Sequence, residues 1–226
     1  MRDETVAALY EKLNRYKFIE VLACGFHVLH LNLGQVRGTP ASGKSTLSLL
    51  LCAYIKRLEP TTRVVLLDTW APQVTQGRWS TYLRLTKNMV AGDGSVLVFD
   101  EAQSTYWDSG LWNSLFKPII AKECENRAIV FASYGSATSA PGIAGTNMII
   151  PLRNKVTLRP IDHHDQTKPI GLFLTHTEFL DFVRTRYPSN RCKFDTTFFE
   201  WTFNVTAGHV GAITDLLRMI SAQTVC

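Results

Sequence analysis

The chain has 226 residues, 46% of them hydrophobic and 19% charged, which suits one α/β domain with a real core and a small appendage. Its net charge of +5 is compatible with nucleic-acid contact, but a bound triphosphate or plain solubility accounts for it equally well. No stretch reaches transmembrane length, and Asp3, Glu4, Glu11 and Glu20 interrupt the first thirty positions, which excludes a basic start followed by an apolar signal core.

In residues 2–20, Val6, Leu9, Tyr10, Leu13, Tyr16 and Phe18 fall at mostly helical spacing. They predict an amphipathic leader helix, either packed on the core or linked to something upstream. Leu31, Leu33 and Val36 then predict a strand running into Gly38-Thr39-Pro40-Ala41-Ser42-Gly43-Lys44-Ser45, a full match to G-x-x-x-x-G-K-[ST], and the apolar run from Thr46 to Ile55 predicts a helix after it. Strand, loop and helix are the context this motif needs to hold phosphate. The glycines let the backbone curl until successive N–H groups face one anion, and the helix start adds its positive dipole end. Positions 38 to 46 are the expected nucleotide-binding stretch, with Lys44 on the β and γ phosphates and the Ser45 hydroxyl on Mg²⁺.

Arg63 to Asp68 reads as a second buried strand, and helix followed closely by strand implies a parallel sheet with right-handed crossovers. After Trp70, Trp79 and Tyr82, the turn Ala91-Gly92-Asp93-Gly94 leads into Ser95-Val-Leu-Val-Phe-Asp100-Glu101-Ala-Gln103. Four apolar residues closing on two carboxylates form a Walker B pattern, with the acids at the end of a buried parallel strand, where open α/β sheets bind ligands. Asp100 is placed to order the metal shell and Glu101 to polarise an attacking water. Alone, such a pair is commonly just a solvated loop start; after a complete phosphate loop the functional reading prevails.

The segment Tyr106 to Lys117 reads as a turn and an amphipathic helix whose aromatics pack the core rather than stack bases. Ala128 to Ala132 is another buried strand, closing on Ser133-Tyr134-Gly135-Ser136. The additional-strand class of P-loop ATPases keeps a γ-phosphate sensor there, which makes Ser133 the first candidate and Ser136 the second; alternatively both only begin the loop running to Asn147. Val156 to Leu158 looks like a fifth strand. His163-His164 lacks partners at metal spacing and reads as solvated loop, and Cys24, Cys52, Cys124, Cys192 and Cys226 are too scattered for a zinc or disulfide framework. Reduced thiols in an intracellular compartment, cytoplasm or nucleus, are expected.

From about residue 170 the pattern changes to amphipathic helices. Thr175-x-x-Glu178 is a capping box, Phe198, Phe199, Trp201 and Phe203 form an aromatic patch, and a Gly-broken turn precedes a last helix with Ile213, Leu216, Leu217 and Ile220 on one face. The expected organisation is a leader over 1–25, a nucleotide-binding core over 26–165 and a small helical lid over 166–226.

Val36-Arg-Gly-Thr-Pro-Ala-Ser-Gly-Lys-Ser-Thr-Leu, Phe99-Asp-Glu-Ala-Gln, Leu111-Trp-Asn-Ser-Leu-Phe-Lys and Ser133-Tyr-Gly-Ser together resemble the P-loop NTPase domain of Crinkler effectors, found in oomycetes and in chytrid and mycorrhizal fungi. The resemblance covers most of residues 30 to 220. Gly208-His-Val-Gly is similar to the Gly-x-Pro-Gly lid element of AAA-type and STAND ATPases, with Val210 in place of the proline. The resemblance implies a three-layer α/β P-loop fold with a mainly parallel sheet, and an NTPase that drives or regulates a nuclease-like or kinase-like module after delivery to a host nucleus. The chain lacks the Leu-Phe-Leu-Ala-Lys-type header and room for a nuclease, so a fragment or a solitary NTPase domain is expected. ATP or GTP is the expected substrate with Mg²⁺, and Arg127, Arg153 and Arg159 are candidate charge stabilisers, in cis or across a homo-oligomer interface. Alternatives are a nucleotide-gated switch with little hydrolysis, or a nucleic-acid-associated ATPase, since Asp100-Glu-Ala-Gln resembles helicase motif II although no second RecA-like lobe is seen. A small-molecule kinase is disfavoured by the tandem acids.

Overall fold

The computed structural model describes residues 2–22, 41–71, 79–87, 89–133, 150–157, 159, 170–187 and 195–223. Helix α1 (Asp3–Tyr16) carries Val6, Leu9, Leu13 and Tyr16 on its buried face and stops where Lys17 turns to φ 63°. The leader helix therefore ends four residues before position 20. Phe18–Leu22 is instead strand β1, buried along its whole length. A Phe-Ile-Glu-Val-Leu run suits a pleated, packed surface better than a helix, and sheet pairing on both sides overrides the accidental helical spacing of Phe18. Residues 18–22 thus belong to the core sheet rather than to a leader. The strand expected over Leu31 to Val36 lies outside the described residues.

The remaining elements are α2 (Lys44–Leu58), β2 (Val64–Leu67), α3 (Trp79–Lys87), β3 (Val96–Phe99), a 3-10 turn (Ala102–Thr105), α4 (Ser109–Leu111), a π turn (Trp112–Phe116), α5 (Lys117–Ala121), β4 (Arg127–Ala132), a 3-10 turn (Leu152–Asn154) and β5 (Lys155–Val156), followed by α6 (His176–Arg186), α7 (Thr196–Thr206) and α8 (Val210–Gln223). All pairings are parallel and the strand order is β2-β3-β4-β1-β5. This is the three-layer α/β P-loop architecture expected. The π turn has a local cause, because Pro118 has no N–H to return to the Ser114 carbonyl and the helix widens around the missing bond.

Alternation of side chains sorts the sheet's two faces. Phe18, Leu22, Phe99 and Val130 meet Trp112, Phe116 and Ile119, while Ile19, Val21, Val98 and Phe131 meet Leu9 and Leu13 of α1 and Leu47, Leu51 and Ile55 of α2. Trp112 and Phe116 lie edge to face at 4.8 Å, and the Trp112 Nε1–H donates to the Thr105 carbonyl at 3.1 Å. These rings are core packing, as their spacing implies. β2 differs from the fully buried strand expected: it is an edge, and only Val65 and Leu67 are fully buried, while Val64 and Leu66 pack half-buried against the α1 and α2 side.

Two polar features interrupt the core. Glu20, in the middle of β1, is fully buried, with neither carboxylate oxygen hydrogen-bonded and Lys155 Nζ at 3.8 Å. Arg127, at the first position of β4, donates to both oxygens of Glu59, to Oε1 at 2.8 Å and to Oε2 at 2.5 Å, and to Asn14 Oδ1, while Tyr10 and Thr62 hydroxyls donate to the same carboxylate. Donors led by Arg127 hold the Glu59 carboxyl down at about 2.

The C-terminal helices have their own core of Leu174, Phe179, Val183, Ile213 and Leu217. The capping box forms as the sequence indicates: Thr175 Oγ1 accepts from the Glu178 N–H at 3.2 Å, and Glu178 Oε2 accepts from the Thr175 N–H at 2.9 Å. Arg2, itself buried, reaches this cap from α1, donating from Nε to Glu178 Oε1 at 3.3 Å and from its two Nη atoms to the Leu172 and Gly171 carbonyls.

Candidate functional site

Because every strand runs the same way, the ends of β3 and β4 that carry Asp100, Glu101 and Ser133 share one edge of the sheet. Of the phosphate loop, Ala41 to Thr46 are described; Gly38, Thr39 and Pro40 lie outside the described residues. Ala41 (φ 61°) and Gly43 (φ 87°) are both left-handed with Ser42 between them, a pattern that turns successive N–H groups toward one point. Gly43 caps α2 and Lys44 opens it. The Lys44 side chain is drawn into the curl, 6% exposed, and its Nζ donates to Ser42 Oγ at 3.4 Å. No carboxylate among the described residues pairs with it. A buried cation without a counter-charge is costly, and an anion seated in the curl relieves that cost.

Asp100 lies just past β3, its N–H donating to the Leu67 carbonyl at 2.8 Å, and its Oδ1 accepts from the Glu101 N–H at 3.1 Å. Glu101 takes the left-handed conformation (φ 53°, ψ 42°), which costs a non-glycine residue on the order of 1 kcal/mol or more and re-aims its side chain. Its Oε2 accepts from Gln103 Nε2 and from Ser133 Oγ at 3.3 Å, and the Ser133 N–H donates to Gln103 Oε1 at 3.0 Å. Glu101, Gln103 and Ser133 therefore form a closed triangle across the ends of β3 and β4. Of the sequence candidates, Glu101 and Ser133 are brought together; Ser136 and His163-His164 lie outside the described residues. Among the described residues no hydrogen bond or ion pair joins Lys44 or Ser45 to Asp100 or Glu101.

The donors suit Mg²⁺, which prefers few protein oxygens and several waters. Ser45 is exposed at the start of α2, and Asp100 keeps Oδ2 without a hydrogen bond among the described residues. No group of three or more His, Cys, Asp and Glu side chains with metal-site geometry occurs among the described residues.

The arginines separate. Arg127 opens β4 at the opposite edge of the sheet and is held by Glu59, so it is a structural clamp rather than a charge stabiliser. Arg153 is exposed at that same edge, since neighbouring Asn154 donates to the Phe18 carbonyl at 2.7 Å. Arg159, exposed beyond β5, is the one of the three placed past a strand's carboxyl end.

Two residues escaped assignment from sequence. Gln103 was legible as part of Asp100-Glu-Ala-Gln, but its bridging of Glu101 and Ser133 needs the fold. His209 belongs to the turn that lies against the phosphate loop: the Gly211 N–H donates to the Ala41 carbonyl at 3.0 Å, a Cβ on Gly211 would stand 2.6 Å from Ala41 Cβ, and Val210 Cγ2 comes within 3.7 Å of a Cβ on Gly43.

No protein-family model matches this chain, and no curated protein matches it. Among solved structures it is similar to domain III of the replication initiation protein DnaA from Thermotoga maritima, with a TM-score of 0.50 and 11% identity, over 99% of this chain and 84% of that one. At that identity the likeness is one of fold.

Proposed function

We propose that the chain is an Mg²⁺-dependent nucleoside triphosphatase, ATP favoured over GTP, acting as the motor or regulatory switch of a Crinkler-type modular protein. The observation that carries the reading is Lys44: a buried ammonium without an acidic partner among the described residues, at the start of a helix and inside a left-handed curl. Backbone N–H groups from Ala41 to Ser45 and Lys44 Nζ hold the β and γ phosphates. Ser45 Oγ and Asp100 would hold Mg²⁺, which would supply charge neutralisation to the phosphate chain. Glu101, oriented through Oε2 by Gln103 and Ser133, keeps Oε1 to accept a hydrogen bond from water. The water oxygen bonds to the γ phosphorus, the bond from the γ phosphorus to the β–γ bridging oxygen breaks, one proton of the water passes to solvent by way of Glu101, and nucleoside diphosphate and inorganic phosphate leave.

The quoted motifs support the Crinkler assignment and, with it, a nuclease-like or kinase-like partner module, self-association and delivery to a host nucleus. No helix among the described residues is long and apolar enough to cross a membrane. A second reading, a nucleotide-gated switch that hardly hydrolyses, is favoured by the Glu101 carboxylate being already engaged by two side chains. A nucleic-acid-associated ATPase draws support from the fold likeness to a replication initiation protein. Phosphate release with ATP, with GTP and without nucleotide, for wild type and Glu101→Gln, tests the proposal. Turnover that falls about a hundredfold or more in the variant, with binding kept, is the expected result. Binding without turnover in the wild type transfers the conclusion to the switch.

A further inference from the structure

We propose that the groove along α3 is a binding site for a small apolar carboxylate, an aryl or branched-alkyl acid whose body lies on Leu83 and Met89 and whose carboxylate meets Arg84. The proposal does not depend on the nucleotide reading.

The groove follows from how the chain folds back on itself. After α3, the Met89 N–H donates to the Leu83 carbonyl at 3.1 Å, which lays residues 89–91 beside the helix they have just left. Between the two runs is a cavity of about 270 Å³, bordered by Trp79, Ser80, Leu83 and Arg84 on the helix and by Met89 and Val90 on the return. Its base is apolar: Leu83 and Met89 are buried, and the flexible methionine thioether adapts to varied shapes. Its margin is open, since Arg84 is exposed and Val90 is 60% exposed. A volume just under the usual span of about 300–1,000 Å³ for drug-sized pockets suits one ring or branched chain with a polar end.

Charge selects that polar end. From Thr69 to Gly92 the sequence holds no Asp or Glu, but it holds Arg78, Arg84 and Lys87. Asp93, the next acid, is spent on its own turn, accepting from the Val90 N–H at 3.0 Å, the Ser95 N–H at 2.9 Å and Asn126 Nδ2 at 3.0 Å. Among the described residues no hydrogen bond or ion pair engages Arg84. Its guanidinium therefore borders an apolar cavity with its fork of donors unused, and a carboxylate matches that fork in two parallel bonds. Arg84 and Lys87 also suit the last turn of α3, where cations offset the helix dipole. That role needs only charge, so Lys87, which does not border the cavity, serves as its control. Trp79 ties the groove to the core: a Cβ on Gly110 would stand 3.6 Å from its Cδ1, so Gly110 reports movement of the ring.

The test is an NMR titration of the isotope-labelled full chain, without nucleotide, using hydrocinnamate and its uncharged amide. Saturable shifts are expected at Trp79, Leu83, Arg84, Val90 and Gly110, with a dissociation constant on the order of 1 mM for the acid and roughly tenfold weaker binding of the amide. Arg84→Gln should abolish the preference for the acid, and Lys87→Gln should retain it. Equal affinity for acid and amide in wild type overturns the proposal, as does a preference that survives Arg84→Gln or falls equally in Lys87→Gln. Shifts centred on residues 41–46 overturn it too, since the acid would then be reading the phosphate loop. Acetyl-glutamyl-phenylalanine amide binding more than tenfold tighter than hydrocinnamate overturns the small-molecule assignment in favour of a peptide from a partner protein.

Discussion

Glu20 permits a quantitative test of the sheet that carries the site. Burial pushes its carboxyl up to about 7, and Lys155 only partly offsets this. The folded-state value lies above the unfolded one, near 4.5, so between those values the folded chain holds a proton that the unfolded chain has lost. Stability from this group is therefore full below about pH 4.5 and falls as pH rises to about 7, by roughly 3 kcal/mol in all. Most of that loss falls between pH 5 and pH 8. Glu20→Gln cannot ionise, so the difference between the two proteins isolates the term from every other titrating group. Urea unfolding of both proteins across that range should show wild type losing roughly 2 to 3 kcal/mol relative to the variant. Parallel stability curves would refute the reasoning and mean that water or an unseen donor solvates the carboxylate.

Lys44→Ala should weaken nucleotide binding by at least about 2 kcal/mol, since it removes the loop's side-chain cation; unchanged affinity by calorimetry would remove the phosphate-loop reading. Arg127→Ala should destabilise the fold by about 1–2 kcal/mol while leaving turnover per folded molecule unchanged, because the pair it breaks is partly solvated and far from Glu101. Glu59 adds a sign: its depressed carboxyl contributes stability that is full above about 4.5 and fades as pH falls toward 2, so the variant should lose much of wild type's acid dependence there. A drop in turnover instead would return Arg127 to the site.

Legibility followed the range of the interactions. β3 and β4 were readable because a strand buried on both faces must be apolar at every position, and the capping box because its partners stand three residues apart. β1 was hidden because five residues carry too little periodicity to outweigh the helix before them, and its Glu20 argues against a central strand. Gln103 was visible as a letter and invisible as a bridge, since its partner Ser133 lies 30 positions away. The clasp of Arg2 on Glu178 spans 176 positions and leaves no trace in any local pattern.

That clasp constrains how the helical unit can travel. α1 is bolted to α2 and β4 through Glu59, Asn14 and Arg127, so Arg2 is a fixed post rather than a loose arm. The unit is gripped there at Gly171, Leu172 and Glu178, and again at Gly211 by Ala41. A body pinned at one place can tumble; pinned at two, it can only turn about the line joining them. Rearrangement of the phosphate loop would unfasten the second pin while leaving the first closed, converting a hinge into a swivel without letting the helices drift away.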